Sequence, residues 1–289
     1  MNNHKFCLLC KSEQLYDLPL YEKAFLTKCK KCNFTFSKKS PTETELLNHY
    51  NNYGRSDYLS PITIKRYNEL LDNFEMYKKT NKILDVGCGI GYFLFEAKKR
   101  GWRVYGTEYT DSAVRICKEK GILINKGKLD INNYQLESFD IITSFEVIEH
   151  INNPLEEISN FKNLLRRGGL AYVTTPNFNS LSRHILKSKY NVITYPEHLS
   201  YYSPRTLKKL FKKTGFNNKK IKTTGISLTR YKTSSGKSNQ KFISDVSDDE
   251  KIRTKIESNS YLKKVIIFLN FILSVFGIGD NLKGWFIKD

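Results

Sequence analysis

Acidic residues are scarce in this chain. Asp and Glu number 29 against 48 Lys and Arg, giving a formal net charge of +19, and from His198 to Ser244 there are twelve Lys or Arg and no acid. Such a surface favours an anionic partner, whether nucleic acid, a phospholipid surface, or a phosphorylated or acidic glycan; the alternative is a lysine-rich composition that merely solvates the surface. Long apolar runs are also missing. The longest, Val265 to Ile278, is interrupted by Asn270, Ser274 and Gly277 and falls short of the ~20 residues that cross a bilayer. The N-terminal residues are polar and lysine-bearing, without the apolar core of a secretion signal, so the expected location is cytoplasmic, at most peripheral at the inner membrane surface. Six cysteines in 289 residues are too few for a disulfide scaffold. Four of them fall in two close pairs, which points to metal in a reducing compartment.

Cys7-x-x-Cys10 and Cys29-x-x-Cys32 are separated by eighteen residues, a spacing suited to a four-thiolate Zn2+ site. Each pair presents two sulfurs from one turn, and Lys28, Lys30 and Lys31 offset part of the thiolate charge. A closed four-sulfur site has no open coordination position. Its expected role is structural, folding a segment too small to carry its own core.

The chain is organised around Lys82-Ile83-Leu84-Asp85-Val86-Gly87-Cys88-Gly89-Ile90-Gly91. The short apolar run reads as a buried parallel strand. The glycines let the backbone turn sharply and approach a ligand, with the amides of the next helix facing it. Dinucleotide enzymes use G-x-G-x-x-G; here the third glycine comes one residue early. Asp85 would also repel a pyrophosphate, and makes better sense beside an ammonium and a sulfonium.

Here the sequence resembles the class I S-adenosylmethionine-dependent methyltransferases, whose first motif has the form D-x-G-x-G-x-G. The resemblance implies S-adenosyl-L-methionine as cofactor, held by Asp85, Gly87, Cys88, Gly89 and Gly91. Downstream, Trp102 to Thr107 reads as a second strand ending in Glu108, placed to accept hydrogen bonds from ribose hydroxyls as in nucleotide-binding α/β folds; Tyr109 follows it. Asp130 with Ile131 falls where the family commonly places an acidic side chain on the adenine amine, and Tyr109 and Phe145, the latter just after the fourth strand Phe139 to Ser144, are the further cofactor-binding candidates.

Strands continue at Ile122–Ile124, Leu170–Thr175, Ile221–Ile226 and Leu282–Lys288, with helices between them. This alternation implies an α/β, doubly wound, mostly parallel seven-stranded Rossmann-like sheet with a small N-terminal zinc ribbon. The expected domains are a zinc ribbon (1–40), a helical lid or linker (41–80), the cofactor-binding domain (81–230 and 280–289), and a basic linker with an apolar helix (231–279). Tyr50, Tyr53 and Tyr58 are candidates for a lid over the cofactor or for core packing. Ligands in such sheets lie beyond the carboxyl ends of the strands, where Asp85, Glu108, Glu146 and Asn177 all fall.

Two histidine segments extend the resemblance. Phe145-Glu146-Val147-Ile148-Glu149-His150 is similar to the E-V-x-E-H segment of ubiquinone-type and sugar O-methyltransferases, some of which bind a divalent cation there; Glu146, Glu149 and His150 are the corresponding candidates. The alternative is that Glu149 and His150 orient the loop beside the cofactor. Pro196-Glu197-His198-Leu199-Ser200-Tyr201-Tyr202-Ser203 resembles a P-E-H-L-x-x-F-S segment, with Tyr202 replacing the usual phenylalanine. His198 is the first candidate for a base that removes a hydroxyl proton, with His150 in reserve. Leu262 to Ile278 is expected to pack on the domain's own sheet before a membrane surface or a partner subunit.

The function expected is O-methylation of a sugar, glycolipid or other small biosynthetic intermediate. Zinc-bearing sugar C-methyltransferases also resemble the N-terminal half but normally carry a further C-terminal domain, so carbon transfer is less expected. An RNA methyltransferase is the main competitor, although no N-P-P-Y-type motif is present. A non-catalytic cofactor-binding relative is the other alternative.

Overall fold

The computed structural model describes residues 3–42, 45–46, 59–236 and 248–289. The tyrosine-bearing lid segment lies outside the described residues. The chain divides into two compact units: Met1–Ile62 with Pro176–Thr206 and Lys222–Leu282, and Thr63–Thr175 with Leu207–Ile221 and Lys283–Asp289. Compactness thus draws different lines from the boundaries expected at residues 40, 80, 230 and 279.

The second unit is built on the large sheet. Its strands are β4 (Lys82–Val86), β5 (Arg103–Glu108), β6 (Leu123–Lys126), β7 (Phe139–Phe145), β8 (Leu165–Pro176), β10 (Phe216–Thr224) and β11 (Asn281–Lys288). They are ordered β10-β11-β8-β7-β4-β5-β6, the seven-stranded, mostly parallel sheet expected. The four central ladders, β6 to β5, β5 to β4, β4 to β7 and β7 to β8, are parallel. Their connections run through helices α2 (Tyr92–Lys99), α3 (Asp111–Glu119) and α4 (Pro154–Leu164). Helix α1 (Pro61–Phe74) buries Leu71 and Phe74 fully, in one core with Ile83, Phe93, Leu94, Trp102, Ile141 and Tyr172. The central strands bury residues on both faces, mostly apolar, as parallel strands covered by helices require.

Two strands begin earlier than expected. β8 starts at Leu165, directly after α4, and its register against β7 shifts between Phe139 and Ile141. Arg166 there donates to Asp140 Oδ1, while Oδ2 accepts the amides of Lys79, Thr80 and Asn81 at 2.8–2.9 Å. The polar residues that hid the strand thus satisfy a buried carboxylate. β10 starts at Phe216 because it lies at the sheet edge, where exposed Lys and Asn side chains disguise a strand.

The first unit carries a small sheet, β1 (Leu15–Asp17), β2 (Leu26–Cys29), β3 (Thr35–Ser37) and β9 (Ser200–Tyr201), joined antiparallel in that order. Ser200 and Tyr201 of the histidine segment are therefore strand residues paired to β3. The same unit holds α5 (Leu181–Leu186), α7 (Leu228–Ser234), α8 (Asp248–Ser258) and α9 (Ser260–Phe276). Helix α6 (Pro204–Lys213) runs across the division between units. The apolar helix α9 differs from expectation: it has no buried residue, and Ile267, Phe268, Phe271, Val275 and Phe276 are exposed.

Candidate functional site

At the carboxyl end of β4, Gly87, Gly89 and Gly91 all have positive φ, between 58° and 73°, a region that costs most other residues energy. Space imposes the same choice. A Cβ on Gly87 would come within 2.5 Å of Val147 Cγ2, and one on Gly91 within 2.4 Å of Ile122 Cδ1. The loop is pinned at several points. Gly87 N donates to Thr107 Oγ1 (3.2 Å), Cys88 N to Thr107 O (3.0 Å) and Gly89 N to Glu108 Oε2 (3.0 Å). From α3 and its end, Cys117 Sγ donates to Gly89 O (3.2 Å) and Lys120 Nζ to Ile90 O (2.7 Å). The Cys88 thiol lies 3.9 Å from that of Cys117, so its side chain belongs to the support and only its backbone belongs to the turn.

Two carboxylates flank the turn. Asp85 is buried, and its Oδ1 accepts from Thr143 Oγ1 at 2.7 Å. Burial pushes its carboxyl up to about 8, opposed by the Thr143 hydrogen bond and aided by Cys117 and Glu108. Glu108, at the end of β5, accepts at Oε1 from Tyr109 N (3.0 Å), Thr110 N (3.1 Å) and Thr110 Oγ1 (3.2 Å). Tyr109 is half exposed, and burial followed by the charges of Glu157 and Glu108 raises its hydroxyl. Glu157 on α4 was not singled out from the sequence; burial, then Glu156, pushes it up to about 7, opposed by Lys128.

The remaining expected residues of this unit have mixed positions. Asp130 is exposed and caps the turn Ile131–Asn133, its Oδ1 accepting from Asn132 N (3.0 Å) and Nδ2 (2.9 Å). The Phe145 ring meets Phe93 (4.9 Å), Tyr172 (5.6 Å) and Tyr67 (5.9 Å), so it is built into the aromatic core. Glu146 has φ +54°, and its amide donates to Thr174 O at 3.0 Å. A non-glycine residue held in that region next to the glycine turn is a local strain of the kind concentrated at functional sites. Glu149 is buried, and His150 Nε2 lies 4.0 Å from its Oε1. Among the described residues, Glu146, Glu149 and His150 do not form a three-ligand cluster. Glu149 and His150 do belong to a group of potential ligands, completed by His198 and not by Glu146.

In the other unit, His198 Nδ1 lies 2.6 Å from Val192 O. A carbonyl only accepts, so Nδ1 carries the proton and the neutral ring keeps its basic lone pair on Nε2. Asn177 is fully buried, and its Nδ2 donates to Gly277 O (2.9 Å) and Gly279 O (2.7 Å). That amide serves the fold and not a ligand rim.

The four N-terminal cysteines occupy two matched turns. Lys11 N donates to Cys7 O and Asn33 N to Cys29 O, both at 2.9 Å; Cys7 N donates to Ser12 O and Cys29 N to Phe34 O, also at 2.9 Å. Lys11 and Asn33 each sit at positive φ, 60° and 62°. All four sulfurs lie within 4.8 Å of one another, with Cys7 to Cys32 and Cys10 to Cys29 at 3.5 Å. A tetrahedron with ~2.3 Å metal–sulfur bonds has sulfurs roughly 3.8 Å apart. The cluster is compatible with a small zinc module.

A doubly wound sheet with a carboxylate-flanked glycine turn at its rim defines the class, the Rossmann-like methyltransferase fold. A family profile described as a methyltransferase domain matches residues 59–221, and the chain belongs to that family. Ubiquinone biosynthesis O-methyltransferase of Actinobacillus pleuropneumoniae is 35% identical over 107 residues, covering 33% of this chain and 46% of the relative. The enzyme of that name from Histophilus somni is 29% identical over 129 residues, covering 40% and 54%. The chain thus spans about half the length of these curated relatives. Among solved structures, a SAM-dependent methyltransferase from Archaeoglobus fulgidus aligns with TM-score 0.52 at 19% identity, over 77% of this chain and 92% of that one. Phosphoethanolamine N-methyltransferase 2 of Haemonchus contortus, solved with S-adenosyl-L-methionine, aligns with TM-score 0.53 at 19% identity, over 88% and 61%. The residues at the turn fit that nucleotide by their chemistry: buried Asp85 and Glu108 are carboxylates suited to a cation and a diol, and the backbone turns between them at positive φ.

Proposed function

We propose that this protein is an S-adenosylmethionine-dependent O-methyltransferase acting on a hydroxyl of a small biosynthetic intermediate. The observation that carries the reading is the glycine turn, held at three positive φ values between buried Asp85 and buried Glu108. S-adenosylmethionine supplies an electrophilic methyl group when bound. Asp85 provides the countercharge for a cationic ligand, and Glu108 with the turn amides orients its sugar. The names of the curated relatives favour oxygen as acceptor and an intermediate of the ubiquinone type; nothing in the comparisons supports a polysaccharide role. Exposed Arg205, Lys208, Lys212, Lys219 and Lys220 favour an anionic acceptor.

His198 is assigned as the base, because its carbonyl-held Nδ1–H fixes the tautomer in which Nε2 takes a proton. Cys7, Cys10, Cys29 and Cys32 hold a structural Zn2+ and take no part in transfer. The test is incubation with methyl-labelled S-adenosylmethionine and fractionated cell extract. Label in a small hydroxylated product supports the reading; label only in RNA refutes it. On the product so identified, His198→Gln should lower kcat by a factor of about 100 or more with cofactor affinity unchanged. If His150→Gln does so and His198→Gln does not, the base is His150.

A further inference from the structure

Helix α9 is built inside out. Its polar residues turn inward: Asn270 Oδ1 accepts from Gly225 N at 2.8 Å and Ser274 Oγ from Thr223 N at 3.4 Å. Outward it shows Ile267, Phe268, Phe271, Val275 and Phe276, each between 62% and 68% exposed. Tyr261, Lys264, Phe268, Phe271 and Val275 recur at helical spacing on one exposed stripe. The helix docks through those amide and hydroxyl groups together with half-buried Leu262, Ile266 and Leu273, and a second, exposed apolar stripe is left over for something else.

We propose that α9 is a membrane-surface anchor, seating this stripe in the headgroup and acyl boundary of an anionic phospholipid leaflet. Charge decides against a second copy of the chain, because two copies would bring +19 against +19, whereas an anionic leaflet attracts that charge. Geometry decides against spanning. Seventeen residues reach about 25 Å, below the ~30 Å hydrocarbon layer. The preceding helix α8 leaves at 116° and is charged, with Lys251, Arg253 and Lys255 beside Asp248, Asp249, Glu250 and Glu257. A helix in the plane of the interface satisfies both facts. Lys264 lies within the stripe and reaches the headgroups by extending its stem, and Tyr261 keeps its hydroxyl at the same boundary. The inference is independent of the acceptor and of the reaction.

The test is co-sedimentation of the full chain with vesicles of phosphatidylglycerol and phosphatidylethanolamine, and with phosphatidylcholine alone. The wild type should bind the anionic vesicles, and bind phosphatidylcholine much more weakly. The double variant Phe268→Ser/Phe271→Ser should lose about 100-fold in partitioning, about tenfold for each half-buried ring. Its circular dichroism melting curve should match the wild type, since both side chains face solvent. Sedimentation of the variant equal to wild type overturns the proposal. So does a wild type that ignores vesicles, whether it is monomeric or forms a dimer that the same substitutions dissociate.

Discussion

Replacing Asp85 by Asn separates the cost of this carboxylate from its use. Burial lifts the Asp85 carboxyl from 3.8 to about 8. Between about pH 4 and 8 the folded chain therefore holds a proton that the unfolded chain has released, and stability falls as pH rises through that window. At ~1.4 kcal/mol per pH unit the ceiling is roughly 5–6 kcal/mol, and relaxation of the surroundings should reduce it to about 2–3 kcal/mol. An asparagine oxygen can still accept from Thr143 but does not titrate. Urea unfolding of the ligand-free proteins from pH 4 to 9 should show similar stability near pH 4 and a variant about 2–3 kcal/mol more stable at pH 8. The variant should meanwhile bind S-adenosylmethionine weakly. In the wild type, a cationic ligand favours the carboxylate, so its affinity should rise with pH up to about 8. A stability difference that stays constant across pH, or a variant that is less stable at pH 8, would refute the reasoning.

Gly87→Ala combines a φ of +72° with a Cβ 2.5 Å from Val147; urea unfolding should register a loss of about 2–4 kcal/mol, and calorimetry at least a tenfold weaker cofactor. Lys120→Ala frees the Ile90 carbonyl that it holds at 2.7 Å; steady-state kinetics should show KM for the cofactor raised about fivefold with kcat nearly unchanged. Elemental analysis should find one zinc per chain, absent from Cys29→Ser, and loss of the metal should open the first forty residues to limited proteolysis.

The parts that the sequence declares locally are the ones it disclosed. Strands β4, β5 and β7 announce themselves as short apolar runs, and the turn after β4 by three glycines at alternate positions. The cysteine pairs predicted their own gathering, since each brings its turn with it. What stayed hidden depends on distant partners. Cys117, Lys120 and Thr143 brace the turn from other elements, and nothing local marks them. Asp130 and Phe145 occupy expected positions in the chain, yet one caps a turn and the other fills the core. Helix α9 misled because apolar composition predicts burial, and only the structure shows its polar side chains facing in.

Titration calorimetry with the purified protein tests the central claim most directly. S-adenosylmethionine and its demethylated product should bind at one site per chain, Glu108→Ala should weaken both by at least tenfold, and a nicotinamide dinucleotide should not bind. Heat from the dinucleotide with none from the sulfonium nucleotide would contradict the account.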